Sequence, residues 1–465
     1  MSETTTTNRS SAIVENPPKK VWRAGTLTYS SAGLAAVFAW LLFGDFAWSM
    51  RDRSVGPMAQ WYLNHLNVPN LLFGLLISTF PAVIGVIIGP IISVKSDRHR
   101  GRWGRRIPFL LVTTPIAAFG MIGIAVTPVV AKWVHGHFPE QSEMVVALIC
   151  FGVFWAAFEF ATIASQSVFG GLINDVVPKE LLGRFYGLFR AVSLIDGMIF
   201  NYWIMGHVPT HFTLILCAIG ATYCGAFLWV CFKVKEGRYP PPPPAPEKKA
   251  GGFGGRFAAV RSYCKECFTN PYYLSLFVLL KVAFMAFGPV NTFAIPYARS
   301  LGIGMEVYGK FLSLTFFISL CLSWFLGWLA DVFHPLRMAL VMLSAYVVLS
   351  VWAVFNVSSE GTFLVAWVAH GVISGSYFTS AASLGQRLFP HSKYAQFASA
   401  AGIFTSFANM TLAPLVGLVI DQTGGVFRYC FGIGGGMAVV ALAAGWHVHR
   451  KFMQLGGPRG YVAPE

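Results

Sequence analysis

A small set of charged side chains lies deep inside long apolar stretches of this sequence. Lys281 is in the second half of the chain, and the rest are in the first half: Asp45, Arg51, Asp52, Arg53, Glu159, Arg190 and Asp196. An ionised group among apolar side chains is costly unless it is paired or has a function. Glu159, between Phe158 and Phe160, is suited to taking up and releasing a proton.

Two carboxylates and a tryptophan share one face of the first apolar stretch. Asp45 and Asp52 are seven residues apart, and Trp48 lies between them on nearly the same side of a helix. Carboxylates accept hydrogen bonds from sugar hydroxyls, and an indole ring stacks on a pyranose face, so the pattern favours a sugar site. The alternative is that the helix ends near Met50 and that the charges after it lie at the surface of a membrane.

The composition indicates the surroundings of these stretches. Of the 465 residues, 55% are hydrophobic and only 11% are charged, and the mean hydropathy is +0.60. A soluble domain carries about 25% charged residues, so an ordinary soluble enzyme and a disordered chain are both excluded. The net charge of +15 does not indicate a nucleic-acid partner, because the basic residues lie in loops between apolar blocks. We expect the chain to be embedded in a lipid bilayer.

Twelve segments are long and apolar enough for membrane-spanning helices. Their approximate bounds are 30–64, 70–94, 107–130, 144–172, 184–205, 211–232, 271–299, 305–330, 337–355, 362–388, 395–420 and 428–449. A polar stretch with consecutive prolines and a Gly-rich patch separates the sixth segment from the seventh. We therefore predict an all-α polytopic membrane protein with twelve transmembrane helices in two six-helix halves. Its parts are a tail (1–29), an N-terminal half (30–232), a linker (233–268), a C-terminal half (269–449) and a second tail (450–465).

The placement of Lys and Arg predicts the orientation of the chain. The two tails and the even-numbered loops, including the linker, hold 26 of the 34 basic residues, and the odd-numbered loops hold three. Cytoplasmic loops carry the excess of Lys and Arg. We expect both termini and the linker to be cytoplasmic, in a plasma (inner) membrane.

The loop after the second segment carries the most specific pattern in the chain. It reads Ser96-Asp97-Arg98-His99-Arg100-Gly101-Arg102-Trp103-Gly104-Arg105-Arg106-Ile107-Pro108-Phe109. It resembles the loop motif of the major facilitator superfamily, in the form found in sucrose:proton symporters and their relatives among the glycoside–pentoside–hexuronide symporters. Asp97 is expected to pair with arginines and to face the positive end of a neighbouring helix, and Gly104 permits a tight turn. The predicted gate, with its repeat-related pair in the second half, comprises Asp97, Arg98, Arg102, Gly104, Arg105, Arg106, Asp331 and Arg337.

The resemblance implies roles for residues of the first half. Glu159 stands where the symporter helix has an Asp that binds sugar and takes the proton, and Asp45 resembles a sugar-binding Asp of melibiose permeases. Glu159 is therefore the predicted proton carrier, with a static pair between Glu159 and Arg190 as the alternative. The predicted substrate-binding residues are Asp45, Trp48, Asp52, Gln166 and Arg190. Sucrose symporters have uncharged residues where 51–53 stand here, which leaves a charged sugar open.

The predicted function is secondary active transport of a sugar or glycoside with protons, by alternating access. We expect a monomer that is not an enzyme and that needs no cofactor or bound metal. Sodium is less favoured as the coupling ion, because the second segment, 71–92, contains no Asp or Glu. Two alternatives stay open: a lysolipid or amphiphile symporter of the same superfamily, and a non-transporting membrane sensor. The sequence assigns no role to four of the charged residues, which are Arg51, Arg53, Asp196 and Lys281.

Overall fold

A computed structural model of the protein describes residues 21–239, 261, 265, 267–390 and 394–464. A short antiparallel hairpin precedes the helices and consists of β1 (Trp22–Ala24) and β2 (Leu27–Tyr29). Six long helices follow in the first half. They are α1 (Ser31–His65), α2 (Asn70–Arg98), α3 (Ile107–His137), α4 (Glu143–Val176), α5 (Leu182–Ile199) and α6 (Val208–Lys233).

The second half also has six long helices. They are α7 (Pro271–Ser300), α8 (Met305–Phe333), α9 (Pro335–Asn356), α10 (Glu360–Ala381), α11 (Tyr394–Gln422) and α12 (Tyr429–Gln454). The segment predicted at 362–388 is not one helix, because α10 ends at Ala381 and a separate short helix follows at Leu384–Leu388. The segment predicted at 271–299 is interrupted at Phe287, between Pro271–Ala286 and Gly288–Ser300.

Ordinary capping chemistry starts several of these helices. The hydroxyl of Ser30 accepts a hydrogen bond from the amide of Gly33 at 3.1 Å at the start of α1, and the side chain of Asn270 caps α7 through the amide of Tyr272 at 2.9 Å. Ser359 and Thr362 form a capping box at the start of α10. The starts of α1, α7 and α10 therefore follow from local sequence.

The protein is a multi-pass membrane protein. Ten segments of the described chain are long and apolar enough to cross a membrane, and one of them, Arg184–Lys233, is 50 residues long and contains both α5 and α6. Large apolar side chains such as Trp324 and Phe355 are exposed on the outside of the bundle, as expected for a surface that faces lipid. The all-α polytopic class is confirmed, and the count of twelve spans stays a prediction.

The two halves use the same set of helix pairs. In the first half α1 packs on α5 and α6, α3 packs on α4 and α6, and α2 packs on α4. In the second half α7 packs on α11 and α12, α9 packs on α10 and α12, and α8 packs on α10. Adding six to each helix number of the first set gives the second. The halves meet where α2 packs on α11 and α5 packs on α8.

Irregular turns lie within or directly after two first-half helices that meet the second half. Residues Leu75–Thr79 of α2 form a π-helical turn, and a second π turn, Phe200–Ile204, follows α5. Such turns occur frequently at functional sites.

The bundle has two ends that are chemically distinct. The end called the motif end here carries the hairpin, the loop 99–106 and the chain 234–239. The opposite end carries the connections 66–69, 138–142, 301–304, 357–359 and 423–428.

Candidate functional site

A cavity of about 740 Å³ lies between the two halves. We call it the central cavity. Helices α1, α2 and α4 supply most of its wall, and α7 and α11 each add one residue. Its polar and aromatic lining consists of Arg51, Asp52, Ser78, Trp155, Phe158, Glu159, Thr162, Gln166, Phe284 and Asn409.

The charged run in α1 reaches the cavity because the helix continues past Met50 to His65. The alternative that the helix ends near Met50 is therefore wrong. The side chain of Asp52 is 65% exposed to the cavity space, whereas that of Arg51 is 1% exposed. The Arg51 guanidinium lies 4.1 Å from the centre of the Trp48 ring, and its nearest carboxylate oxygen belongs to Asp52 at 3.8 Å. Two of its nitrogens, Nε and Nη1, have no hydrogen-bond partner within the described residues.

Glu159 lies on the cavity wall, on the same helix as Trp155 and Gln166. The charged groups that interact electrostatically with Glu159 are Arg51 and Asp52, both from α1. The sequence suggested Arg190 as the neighbouring cation, and the structure puts Arg51 there instead. Trp155 is fixed in place because its indole N–H donates to the carbonyl of Leu76 in the π turn of α2 at 3.0 Å.

The structure brings together two of the five predicted substrate-binding residues. Asp52 and Gln166 line the central cavity, and the described lining includes neither Asp45, Trp48 nor Arg190. Trp48 lies behind Arg51, with its ring centre 5.3 Å from that of Phe169. Asp45 is 5% exposed, and Arg190 is exposed on α5. Seven residues along a helix bring Asp45 and Asp52 to one face, but they also place them two turns apart along the axis.

Contacts between α2 and α11 close the cavity toward the opposite end. The Asp421 carboxylate accepts hydrogen bonds from the amides of Asn70 and Leu71 at 3.1 and 2.9 Å, and so caps the start of α2. A Cβ atom at Gly74 would lie 2.7 Å from the backbone of Ala413, and one at Gly417 would overlap the carbonyl of Asn70. The two backbones touch because both positions are glycine.

Hydroxyl groups extend this contact to the middle of the bundle. Ser78 donates to the carbonyl of Asn409 at 2.8 Å, and Thr79 donates to that of Met410 at 2.5 Å. Both hydroxyls are therefore engaged with backbone oxygens of α11. In the described part of the chain, no group of three or more His, Cys, Asp or Glu side chains is arranged to hold a metal ion.

A second line of contacts joins α5 to α8, and we call it the α5–α8 seam. A Cβ at Gly197 would lie 2.6 Å from the ring of Phe316, and one at Gly309 would overlap the carbonyl of Asn201. Nearby, the Arg299 guanidinium of α7 donates to the carbonyl of Asn64 in α1 at 2.6 Å. All of these contacts lie toward the opposite end of the bundle.

At the described glycines of α2, α5, α8 and α11 near the motif end, the helices are not packed this closely. Gly85 and Gly89 of α2 line the cavity, and a Cβ at either would meet nothing within 4 Å. The same holds for Gly187 of α5, Gly327 of α8 and Gly402 of α11. The central cavity is therefore sealed toward the opposite end and open toward the motif end.

The motif loop is held by ion pairs within the first half. Arg106 pairs with Asp97, and its Nη1 donates to Ser96 at 2.6 Å. Arg105 pairs with Asp175 at the end of α4, and the hydrogen bond that its guanidinium donates to this carboxylate raises the pKa of Arg105. The expected pairing of Asp97 with an arginine is thus present, and its partner is Arg106. Gly104 has a φ of +101°, which explains the glycine at this turn.

A carboxylate from the linker, which was not predicted, completes this cluster. Glu236 accepts hydrogen bonds from the amides of Arg105, Arg106 and Ile107 at 2.9, 2.8 and 2.7 Å, and so caps α3. The Tyr239 hydroxyl donates to Glu236 at 2.8 Å. Burial and this carboxylate raise the pKa of Tyr239. The cap is formed across more than 120 residues, so no local pattern could reveal it.

The remaining predicted residues lie on the surface or outside the described set. Arg98 and Arg102 are exposed. Arg337 is also exposed, and its Nη2 lies 3.8 Å from the sulfur of Met453. The side chain of Asp331 lies outside the described residues. Lys281 lines a separate cavity of about 310 Å³ in the second half, and this cavity shares Phe284 with the central one.

Comparison with known proteins gives consistent likenesses. The profile of the family described as "MFS/sugar transport protein" matches residues 28–445. Human solute carrier family 45 member 4 is 27% identical over 149 residues, which are 30% of this chain and 17% of that protein. The chain therefore spans only a small part of that relative.

Solved structures share the fold at low identity. A bacterial homolog of the human lysosomal transporter Spinster, inward-facing and unoccupied, gives a TM-score of 0.66 at 15% identity and covers 94% of this chain and 100% of its own. A D-xylose–proton symporter gives a TM-score of 0.63 at 14% identity, covering 89% and 97%.

Proposed function

Because the chain belongs to the MFS/sugar transport protein family, we propose that it couples the movement of a sugar or glycoside to protons by alternating access. The observation that carries this proposal is the central cavity, which lies between the halves and contains a carboxyl group beside a buried arginine. Membrane transport of small solutes is the family's activity; the sugar, the proton and the direction are our proposal.

The proposed orientation puts the motif end in the cytoplasm of a cell with the protein in its plasma (inner) membrane. It is supported by the excess of Lys and Arg in the loops of that end. With this orientation the structure is an inward-open state. Asp97 and the arginines of its loop then hold the cytoplasmic side shut when the site faces outward. Asp331 and Arg337 have the same closing role in the second half.

The proposed solute site uses the polar groups of the cavity wall. Asp52 and Gln166 from the first half and Asn409 from the second offer hydrogen-bond acceptors and donors to hydroxyl groups.

Proton coupling in this proposal depends on Glu159 and Arg51. When Glu159 is ionised, Arg51 is the cation available to pair with it. Arg51 is close enough to interact electrostatically with Glu159, and two of its nitrogens have no hydrogen-bond partner in the described residues. When Glu159 is protonated, Arg51 is released to interact with Asp52 or with the solute. Protonation of Glu159 frees the Arg51 guanidinium to bind the solute, and a solute that binds this guanidinium leaves Glu159 easier to protonate. Proton binding and solute binding therefore favour one another.

A solute screen in proteoliposomes tests the proposal. Purified protein is reconstituted with an imposed pH gradient, and uptake of neutral sugars, acidic sugars and lysolipids is compared with and without a protonophore. We expect accumulation of a polyhydroxylated solute that the protonophore abolishes. Accumulation of a lysolipid instead, or of no solute by any gradient, would contradict it.

A further inference from the structure

The α5–α8 seam contains a carboxylate that the proposed transport site does not use. Asp196 on α5 is 0% exposed, and neither of its oxygens has a hydrogen-bond partner in the described chain. It does not line the central cavity. A neutral carboxylic acid is far cheaper to bury without partners than a carboxylate is.

Among the residues that the structure describes, few charged groups surround Asp196 and none forms an ion pair with it. Two residues of α1, Asp45 and Arg53, are close enough to interact electrostatically with Asp196. The guanidinium of Arg53 donates to Ser193, one turn before Asp196, at 2.9 Å from Nη2. Arg190 on α5 interacts electrostatically with Arg53. From α8, the charged residues Glu306 and Lys310 pair with each other at 2.6 Å.

Asp196 lies beside the contacts that must separate when the opposite end opens. The next residue, Gly197, touches Phe316 of α8, and the following carbonyl, that of Met198, accepts a hydrogen bond from Ser313 of α8 at 3.4 Å. Arg53 stacks on the same Phe316 ring, with its guanidinium carbon 5.2 Å from the ring centre. Separation of α8 from α5 would therefore uncover Asp196 and Arg53 together.

We propose that Asp196 is a second proton-binding site, and that its protonation permits closure of the α5–α8 seam. With the seam open, water and Arg53 stabilise the carboxylate. With the seam closed, as in this structure, only the protonated acid is buried without a large cost. The proposal rests on the proposed alternating access, but not on the identity of the solute or on Glu159.

Linkage fixes the sign of the effect. Closure of the seam takes up a proton, so low pH favours the closed seam and high pH the open one. A single linked proton changes the ratio of open to closed by up to about tenfold per pH unit.

Distances across the seam test the proposal without any solute. Spin labels are placed at Thr210 and Gly304, exposed positions of the opposite end, in protein that lacks its native cysteines. The background carries Glu159→Gln, which removes the titratable group of the central cavity. In this background the long-distance population should grow several-fold between about pH 6 and about pH 9, and adding Asp196→Asn should abolish the change and leave the short distance.

A matched control and a second variant keep the result interpretable. Ser313→Ala removes a polar contact of the seam without removing a titratable group, and it should preserve the pH dependence. Asp196→Ser replaces Asp196→Asn if the latter does not fold. No pH dependence in the Glu159→Gln background, or a dependence that survives neutralisation of Asp196, would overturn the proposal. Failure of the proposed solute transport would show in the uptake screen and not in these distances.

Discussion

At the scale of single residues, the main finding is the position of Arg51. The sequence suggested that Arg190 approaches Glu159, because both lie in apolar segments of the same half. The structure instead buries Arg51 between Trp48 and the cavity, where it acts on Glu159. Hydropathy shows that a charge lies inside a helix, but it does not show which neighbouring helix the charge faces.

Glu159→Gln is expected to separate coupling from exchange. The variant should lose uphill uptake driven by a pH gradient, because the group that carries the proton is gone. It should retain exchange of labelled for unlabelled solute, which needs alternating access but no net proton release. Glu143→Gln is the control, since Glu143 is exposed at the start of the same helix. Both activities are measured in proteoliposomes, and uphill accumulation by Glu159→Gln would place the carrier elsewhere.

Solute affinity should distinguish two residues that the sequence grouped together. Gln166 lines the central cavity and Arg190 does not. Losing one buried hydrogen-bond partner costs about 1–3 kcal/mol, so Gln166→Ala should weaken binding roughly tenfold. Arg190→Ala should leave affinity within about twofold. Calorimetry on purified protein measures both, and the reverse order would show that the solute binds outside this cavity.

At the scale of helices, the local sequence predicts where helices lie better than it predicts contacts between residues distant in sequence. Apolar length predicted the start of each long helix within a few residues, but α3 ends seven residues after its predicted end and α10 seven residues before its own. The polar stretch after α6 was predicted from its prolines and glycines. The break of α7 at Phe287 and the cap that Glu236 gives to α3 were not predicted. The cap depends on a partner distant in sequence, whereas the break lies directly before Gly288 and Pro289. The sequence signal for the five helix pairs repeated in each half was the related pair Asp331 and Arg337, which matches Asp97 and the arginines of its loop.

Glycine positions on α11 should control which end of the bundle opens. Gly417 touches α2 at the opposite end, whereas Gly402 of the same helix faces open space near the motif end. Gly417→Leu should prevent the α2–α11 contact from closing and increase the population open at the opposite end. Spin distances between α2 and α11, one pair at each end, measure this. Gly402→Leu is the matched control and should leave the opposite-end distance unchanged. Equal distributions in both variants would contradict the role of this contact.

At the scale of the whole molecule, the orientation follows from charge. The motif end carries the excess of Lys and Arg and is proposed to be cytoplasmic. Single cysteines at Glu140 and Arg337, exposed at the two ends, are treated on intact cells with a membrane-impermeant thiol reagent. Only the cysteine at 140 should react. Labelling at 337 from outside would invert the topology and make this an outward-open structure.

The central claim is that solute and proton cross the membrane together. The most direct measurement follows the internal pH of proteoliposomes that contain a trapped pH dye, with no initial pH gradient, when the transported solute is added outside. The account predicts that the interior acidifies as solute enters, and that Glu159→Gln gives no acidification. Solute entry at the wild-type rate without acidification would contradict the account.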